Sequence, residues 1–138
     1  MSNIKSDKLS GQAALPQIKV TTDDKSRLSA LADCSLGLFP RVAHFLASEM
    51  DRAEVVAEDA DLRDVVRMGT RVSYRDEATG DTREVTLVYP HEADIDRHRI
   101  SVLTPVGAAL IGLSVGQSIE FQTPGQQMRL LTILDVSK

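Results

Sequence analysis

"SVLTPVGAALIGLSVGQSIEFQTPGQ", residues 101–126, holds one ionisable side chain, Glu120, in 26 positions. It carries four of the chain's eight glycines and two of its five prolines. A stretch this uncharged and this rich in small residues is a ligand cradle, a piece of core or a docking surface. Spacing separates these. No G-x-x-x-x-G-K-[ST] loop is present, and Gly107 lies inside the helix signal instead of ahead of it, so a phosphate loop fails. Thr104 as N-cap and Pro105 as first helical residue predict a helix from Pro105 to Leu113. Gly107, Ala108 and Ala109 let that helix approach a sheet closely, and Gly112 or Gly116 ends it.

Strand signals lie on both sides. Val72 and Tyr74, then Val85, Leu87 and Tyr89, alternate with polar residues around the turn Ala78-Thr79-Gly80-Asp81. This predicts a β-hairpin over Arg71 to Tyr89. Arg99 to Leu103 reads as a short strand. Ser118 to Gln122 and Met128 to Val136 read as two more, around the turn Thr123-Pro124-Gly125. Strands, one helix, then strands again indicate a small α+β domain.

Upstream the period is helical. Thr21-Thr22-Asp23-Asp24 supplies cap candidates and first-turn acids. Leu28, Leu31 and Ala32 form one stripe, with Gly37 as a stop. Pro40 opens a second helix whose Val42, Phe45, Leu46, Met50 and Ala53 share a face. Two short helices joined around Cys34 to Leu38 read as an antiparallel αα-hairpin. Its second arm, taken as Pro40 to Val56, would be about 25 Å long. The expected organisation is a disordered tail over residues 1–14, a short helical hairpin over 15–60, including an apolar lead-in from Leu15 to Val20, and a head over 61–138.

Charge and composition narrow the function. The net charge is −4 with only three Phe, two Tyr and no Trp, which argues against phosphate neutralisation and base stacking as binding modes. Glu49 to Asp64 holds seven acids against Arg52 and Arg63, a local balance of −5, so the rest of the chain sums to +1. This acidic joint reads as a solvated helix end running into a linker. One cysteine, Cys34, permits no internal disulfide and suits a reducing compartment. No apolar run approaches a membrane span and the start lacks a signal-peptide core. The expected location is the cytoplasm.

Catalytic constellations are weak. His91 to His98 packs five metal-capable side chains into eight positions, but it matches neither H-E-x-x-H nor a calcium loop and reads as a solvated connection. Cys34 sits at a helix C-terminal end, which does not favour the thiolate. His44 reads as a surface or edge residue. No G-x-S-x-G elbow is present. Neither a metal nor a cofactor is expected. A hairpin plus a compact head indicates a protein that works by docking.

"TLVYPHEAD", "RISVLTPVGAALIGLSVGQSIEF" and "TPGQ", in that order and spacing, resemble the C-terminal domain of the Gre transcript-cleavage factors. "LASEMDRAEVV" at the end of the second helix resembles the Rnk branch of that superfamily, the regulators of nucleoside diphosphate kinase. The resemblance runs from about Leu15 to Val136. It implies an FKBP-like head behind a short antiparallel coiled coil. Prolyl isomerase activity is not implied, since that site is lined with aromatic rings.

The resemblance also implies a partner. Gre heads dock at the rim of the RNA polymerase secondary channel, through residues before and at the start of the head's helix. Here those are Leu103, Thr104 and Pro105, with Leu103 standing where Gre proteins often have an acid or polar residue. The coiled coil reaches inward, and paired acids at its tip help hold a catalytic magnesium ion. Magnesium favours carboxylate and water oxygens, yet the tip Asp33 to Pro40 carries one acid, Asp33. The expectation is a non-enzymatic regulator, monomeric when free, that binds polymerase without efficient transcript cleavage and without sequence-specific nucleic-acid contacts. Two alternatives stand beside it: weak magnesium-dependent cleavage assisted by Asp33, and indirect control of nucleoside diphosphate kinase levels.

Overall fold

Thr21 ends a strand and opens a helix. In the computed structural model, which describes residues 15–123 and 125–138, strand β1 spans Lys19–Thr21 and helix α1 spans Thr22–Ser35. The Thr21 hydroxyl accepts from the amide of Asp24 at 3.1 Å, and the Glu58 carboxylate accepts from the amide of Asp23 at 2.9 Å. Two of the four orphan donors at the helix start are thus met by side chains. The expected tail over residues 1–14 lies outside the described residues.

The turn after α1 is tight: the amides of Leu38 and Phe39 both donate to the Ser35 carbonyl. Pro40 then begins α2, Pro40–Arg52. Leu28 and Ala32 of α1 and Leu46 and Met50 of α2 are fully buried. Each large side chain removed from water in this way contributes roughly 1.5–3 kcal/mol. The second arm is shorter than expected, about 20 Å rather than 25 Å. Ala53 is extended (φ −70°, ψ 143°) and the chain enters strand β2, Glu54–Val56. β2 pairs in parallel with β1, Val20 opposite Val55. Parallel neighbours need a long crossover, and α1 with α2 is that crossover. The lead-in from Leu15 to Val20 therefore ends in a strand.

The acidic joint is not simply solvated. Glu49 is 1% exposed, and its carboxylate takes two bonds from Arg52, at 2.6 Å to Nε and 2.8 Å to Nη2. Arg52 also donates to the Pro16 carbonyl, which ties the end of α2 to the start of the described chain.

Five strands form the second sheet: β3 Arg71–Asp76, β4 Thr82–Val88, β5 Arg99–Ser101, β6 Ser118–Gln122 and β7 Met128–Ser137. Their order is β5-β4-β3-β7-β6, antiparallel throughout except for β4 with β5. Between the pairs Ser73–Asp135 and Tyr74–Ile133 the register shifts, leaving Leu134 as the extra residue of a bulge, which bends and twists the strand. The inner face carries Val72, Leu87, Ile119, Leu131 and Ile133, all buried.

Helix α3, Pro105–Leu110, covers that face. Gly107 permits the approach: a Cβ there would overlap the Ser101 carbonyl and stand 2.9 Å from the Val102 Cα. The helix is three residues shorter than the sequence predicts. Ile111 leaves the helical region (φ −59°, ψ 129°) and Gly112 takes φ +84°, because the peptide groups beyond Leu110 find other partners: the Gly112 amide donates to the Val66 carbonyl and the Val66 amide to the Leu113 carbonyl. Gly112 also lies against Ile18, where a Cβ would come within 2.9 Å of the Ile18 Cβ. One hydrophobic cluster consequently joins Leu28, Leu46 and Met50 to α3 and the sheet.

Candidate functional site

Ser101 ends β5 and organises the turn into α3. Its hydroxyl accepts from the Leu103 amide at 2.9 Å, and its carbonyl accepts from the Thr104 hydroxyl at 2.8 Å. The same Thr104 oxygen accepts from the Gly107 amide at 3.0 Å, capping α3. Pro105 comes next, at the first helical position, where its missing N–H costs nothing. Leu103, Thr104 and Pro105 are therefore held in one geometry by the strand end and the helix start together, and all three are half-buried.

These three residues form one wall of a groove of about 450 Å³. The opposite wall is Phe39, Val42 and Phe45 from the tip and first turns of α2, and Phe121 of β6 closes one side. Phe39 is 51% exposed and the neighbouring Leu38 is 81% exposed, so the apolar surface continues outward from the groove onto the tip. Among the described residues, Arg41 is the one ionisable side chain in the lining. The chemistry offered is apolar contact with one cationic group at the margin, which suits a protein surface better than a reaction.

Asp33 is placed apart from this groove. It is exposed near the C-terminal end of α1 and does not line the groove. Among the described residues, no group of three metal-capable side chains comes together anywhere. The segment His91 to His98 folds into two short turns, with Asp94 accepting from the Asp96 amide at 3.1 Å. Cys34 and His44 are exposed. No described helix is long and apolar enough to cross a membrane.

Reading the sequence picked out Leu103, Thr104 and Pro105 but missed the wall facing them. Phe39 carried a signal, an aromatic residue in a turn before a proline. Nothing local to it or to Leu103 shows that the two lie across one groove.

Comparison with known proteins adds the relationship. Residues 60–138 match the family described as "Transcription elongation factor, GreA/GreB, C-term", and residues 16–56 match the family "Rnk N-terminus". The "Regulator of nucleoside diphosphate kinase" of Escherichia coli K12 is 36% identical over 121 residues, which is 88% of this chain and 89% of that one. A "Transcription elongation factor GreA" from Rhodospirillum rubrum is 46% identical over 74 residues, 54% of this chain and 47% of that one. Among solved structures, a "Prokaryotic transcription elongation factor GreA/GreB from Nitrosomonas europaea" superposes with a TM-score of 0.69 at 36% identity, over 89% of this chain and 99% of that one. Helices followed by a curled sheet are thus a GreA/GreB-like fold. The chain belongs to the Rnk branch of the GreA/GreB family.

Proposed function

We propose that this protein is a transcription regulator that binds RNA polymerase at the rim of the secondary channel, through Leu103, Thr104 and Pro105, and does not efficiently stimulate transcript cleavage. The observation that carries this reading is the apolar groove in which those residues face Phe39, Val42 and Phe45. Family membership supports polymerase as the partner, since the GreA relatives are named as transcription elongation factors. In this reading α1 and α2 act as a short coiled coil over residues 15–60, and residues 61–138 act as an FKBP-like head.

Two features argue against cleavage. The tip offers one carboxylate, Asp33, where holding magnesium calls for more oxygen ligands. The arm is only about 20 Å long, and its first turns lie against the head across the groove instead of projecting from it. The protein then acts by occupying the channel entrance, as a monomer in the cytoplasm. The name of the Escherichia coli relative favours a second, downstream reading, in which nucleoside diphosphate kinase levels change as a consequence of polymerase binding.

Retention on immobilised core RNA polymerase tests the reading. Wild-type chain is expected to be retained under conditions that retain a Gre factor, and absence of retention overturns the proposal. Stalled elongation complexes test the cleavage clause. Background cleavage is expected with wild type and with Asp33→Ala alike, whereas cleavage lost on Asp33→Ala moves the protein into the cleavage-stimulating class.

A further inference from the structure

The inner face of the sheet carries a second cleft, of about 360 Å³, beside the docking groove and sharing its Thr104 and Pro105 wall. Its floor is aromatic and its margins are cationic. Tyr74 of β3 sits directly opposite Arg83 of β4, and Phe121 of β6 directly opposite Arg129 of β7. Opposite residues in an antiparallel pair project to the same face, so each ring has a guanidinium as its cross-strand neighbour. Leu131 and Val106 complete the apolar lining.

The polar groups do not cancel. Asp76 takes one terminal nitrogen of Arg129, leaving Arg129 Nε buried and without a hydrogen-bond partner among the described residues. A buried donor left unmet is costly and calls for a partner. Arg83 is exposed and has no carboxylate at ion-pair distance among the described residues. Among the described residues, two guanidiniums against one carboxylate leave the cleft one positive charge in excess, in a protein whose net charge is −4. A guanidinium presents paired donors that match the oxygens of a carboxylate or phosphate. The volume falls within the range of small-molecule sites.

We infer that this cleft is a binding site for a small organic anion, a carboxylate or phosphate group borne on a flat apolar body, with Arg83 and Arg129 holding the anionic oxygens and Tyr74 and Phe121 the body. The inference does not depend on polymerase docking. A peptide ending in an acidic residue is a poorer fit, because the cleft is enclosed by Thr104 and Pro105 on one side.

Amide chemical shifts of the full chain, titrated with benzoate, phenyl phosphate and neutral benzyl alcohol, test it. Benzoate or phenyl phosphate is expected to shift residues around Tyr74, Arg83, Phe121 and Arg129 with a Kd of about 1 mM or tighter, and benzyl alcohol to leave them unmoved. Whichever anion binds more tightly identifies the head group. Arg83→Gln, at an exposed position, is expected to weaken binding about tenfold or more with an unchanged unfolding midpoint. Arg129→Lys keeps a cation for Asp76 while removing Nε, and is expected to weaken it as well. Absence of shifts with both anions, equal binding of benzyl alcohol, or undiminished binding by Arg83→Gln overturns the inference.

Discussion

Gly107 sits so close to Ser101 that a single added carbon would overlap the Ser101 carbonyl oxygen. That proximity sets the distance of α3 from β5, and with it the position of the groove. In an ordinary helix, replacing glycine with alanine stabilises by up to about 1 kcal/mol. Here the sign reverses. Gly107→Ala is expected to destabilise by about 1–3 kcal/mol, because the obstructing atoms are backbone and cannot rotate away. Denaturant unfolding checks it, and a stabilised variant would contradict the close packing.

Glu49 and Arg52 give a second test. A carboxylate that is 1% exposed depends on its partner, since removing one member of a buried pair leaves an uncompensated charge. Arg52→Ala is expected to cost about 3 kcal/mol, more than the same change at exposed Arg63, whose ion pair with Asp61 lies in solvent. Equal losses at the two sites would show that the Glu49 pair is not structural.

Thr104 caps α3 with the same oxygen that bonds the Ser101 carbonyl. Thr104→Ala is expected to lower stability by about 1 kcal/mol, whereas Thr104→Ser keeps the oxygen and most of that stability. Unfolding midpoints of the two variants check the difference, and identical midpoints would remove the cap from consideration.

The acid limb of stability has a named contributor. The Glu77 carboxyl is held down to about 2, from an ordinary 4.5, first by the Arg75 guanidinium and then by the Thr132 hydroxyl. A depressed carboxyl stabilises the fold above its unfolded value, and that contribution is lost as pH falls through its folded value. Stability should therefore decline between about pH 4.5 and about 2 in a manner that Glu77→Gln partly removes. An unchanged acid profile in the variant would contradict this.

Much of this architecture was readable in the residues. Thr104-Pro105 announced a helix start, the alternation around Gly80 announced the β3–β4 hairpin, and the small residues 107–109 announced close packing. Features set by distant pairing were not readable. Lys19–Thr21 and Glu54–Val56 are too short to show a period, and each becomes a strand only through the other. The apolar run Ile111-Gly112-Leu113 looks like more helix, yet Val66, far earlier in the chain, takes its peptide groups. Glu49 looked solvated because acids usually are; Arg52 and Pro16 make its burial tolerable. The groove was legible on one wall only, and even that wall came from resemblance, since Leu103 and Phe39 carry no local sign of facing each other.

Polymerase docking through Leu103 and its neighbours is the central claim. Competition for immobilised core RNA polymerase measures it most directly, with a Gre factor bound first and the chain titrated in. Wild-type chain should displace the Gre factor, and Leu103→Arg, folded with an unchanged unfolding midpoint, should not. Failure of wild type to displace it, or equal displacement by Leu103→Arg, would contradict the claim.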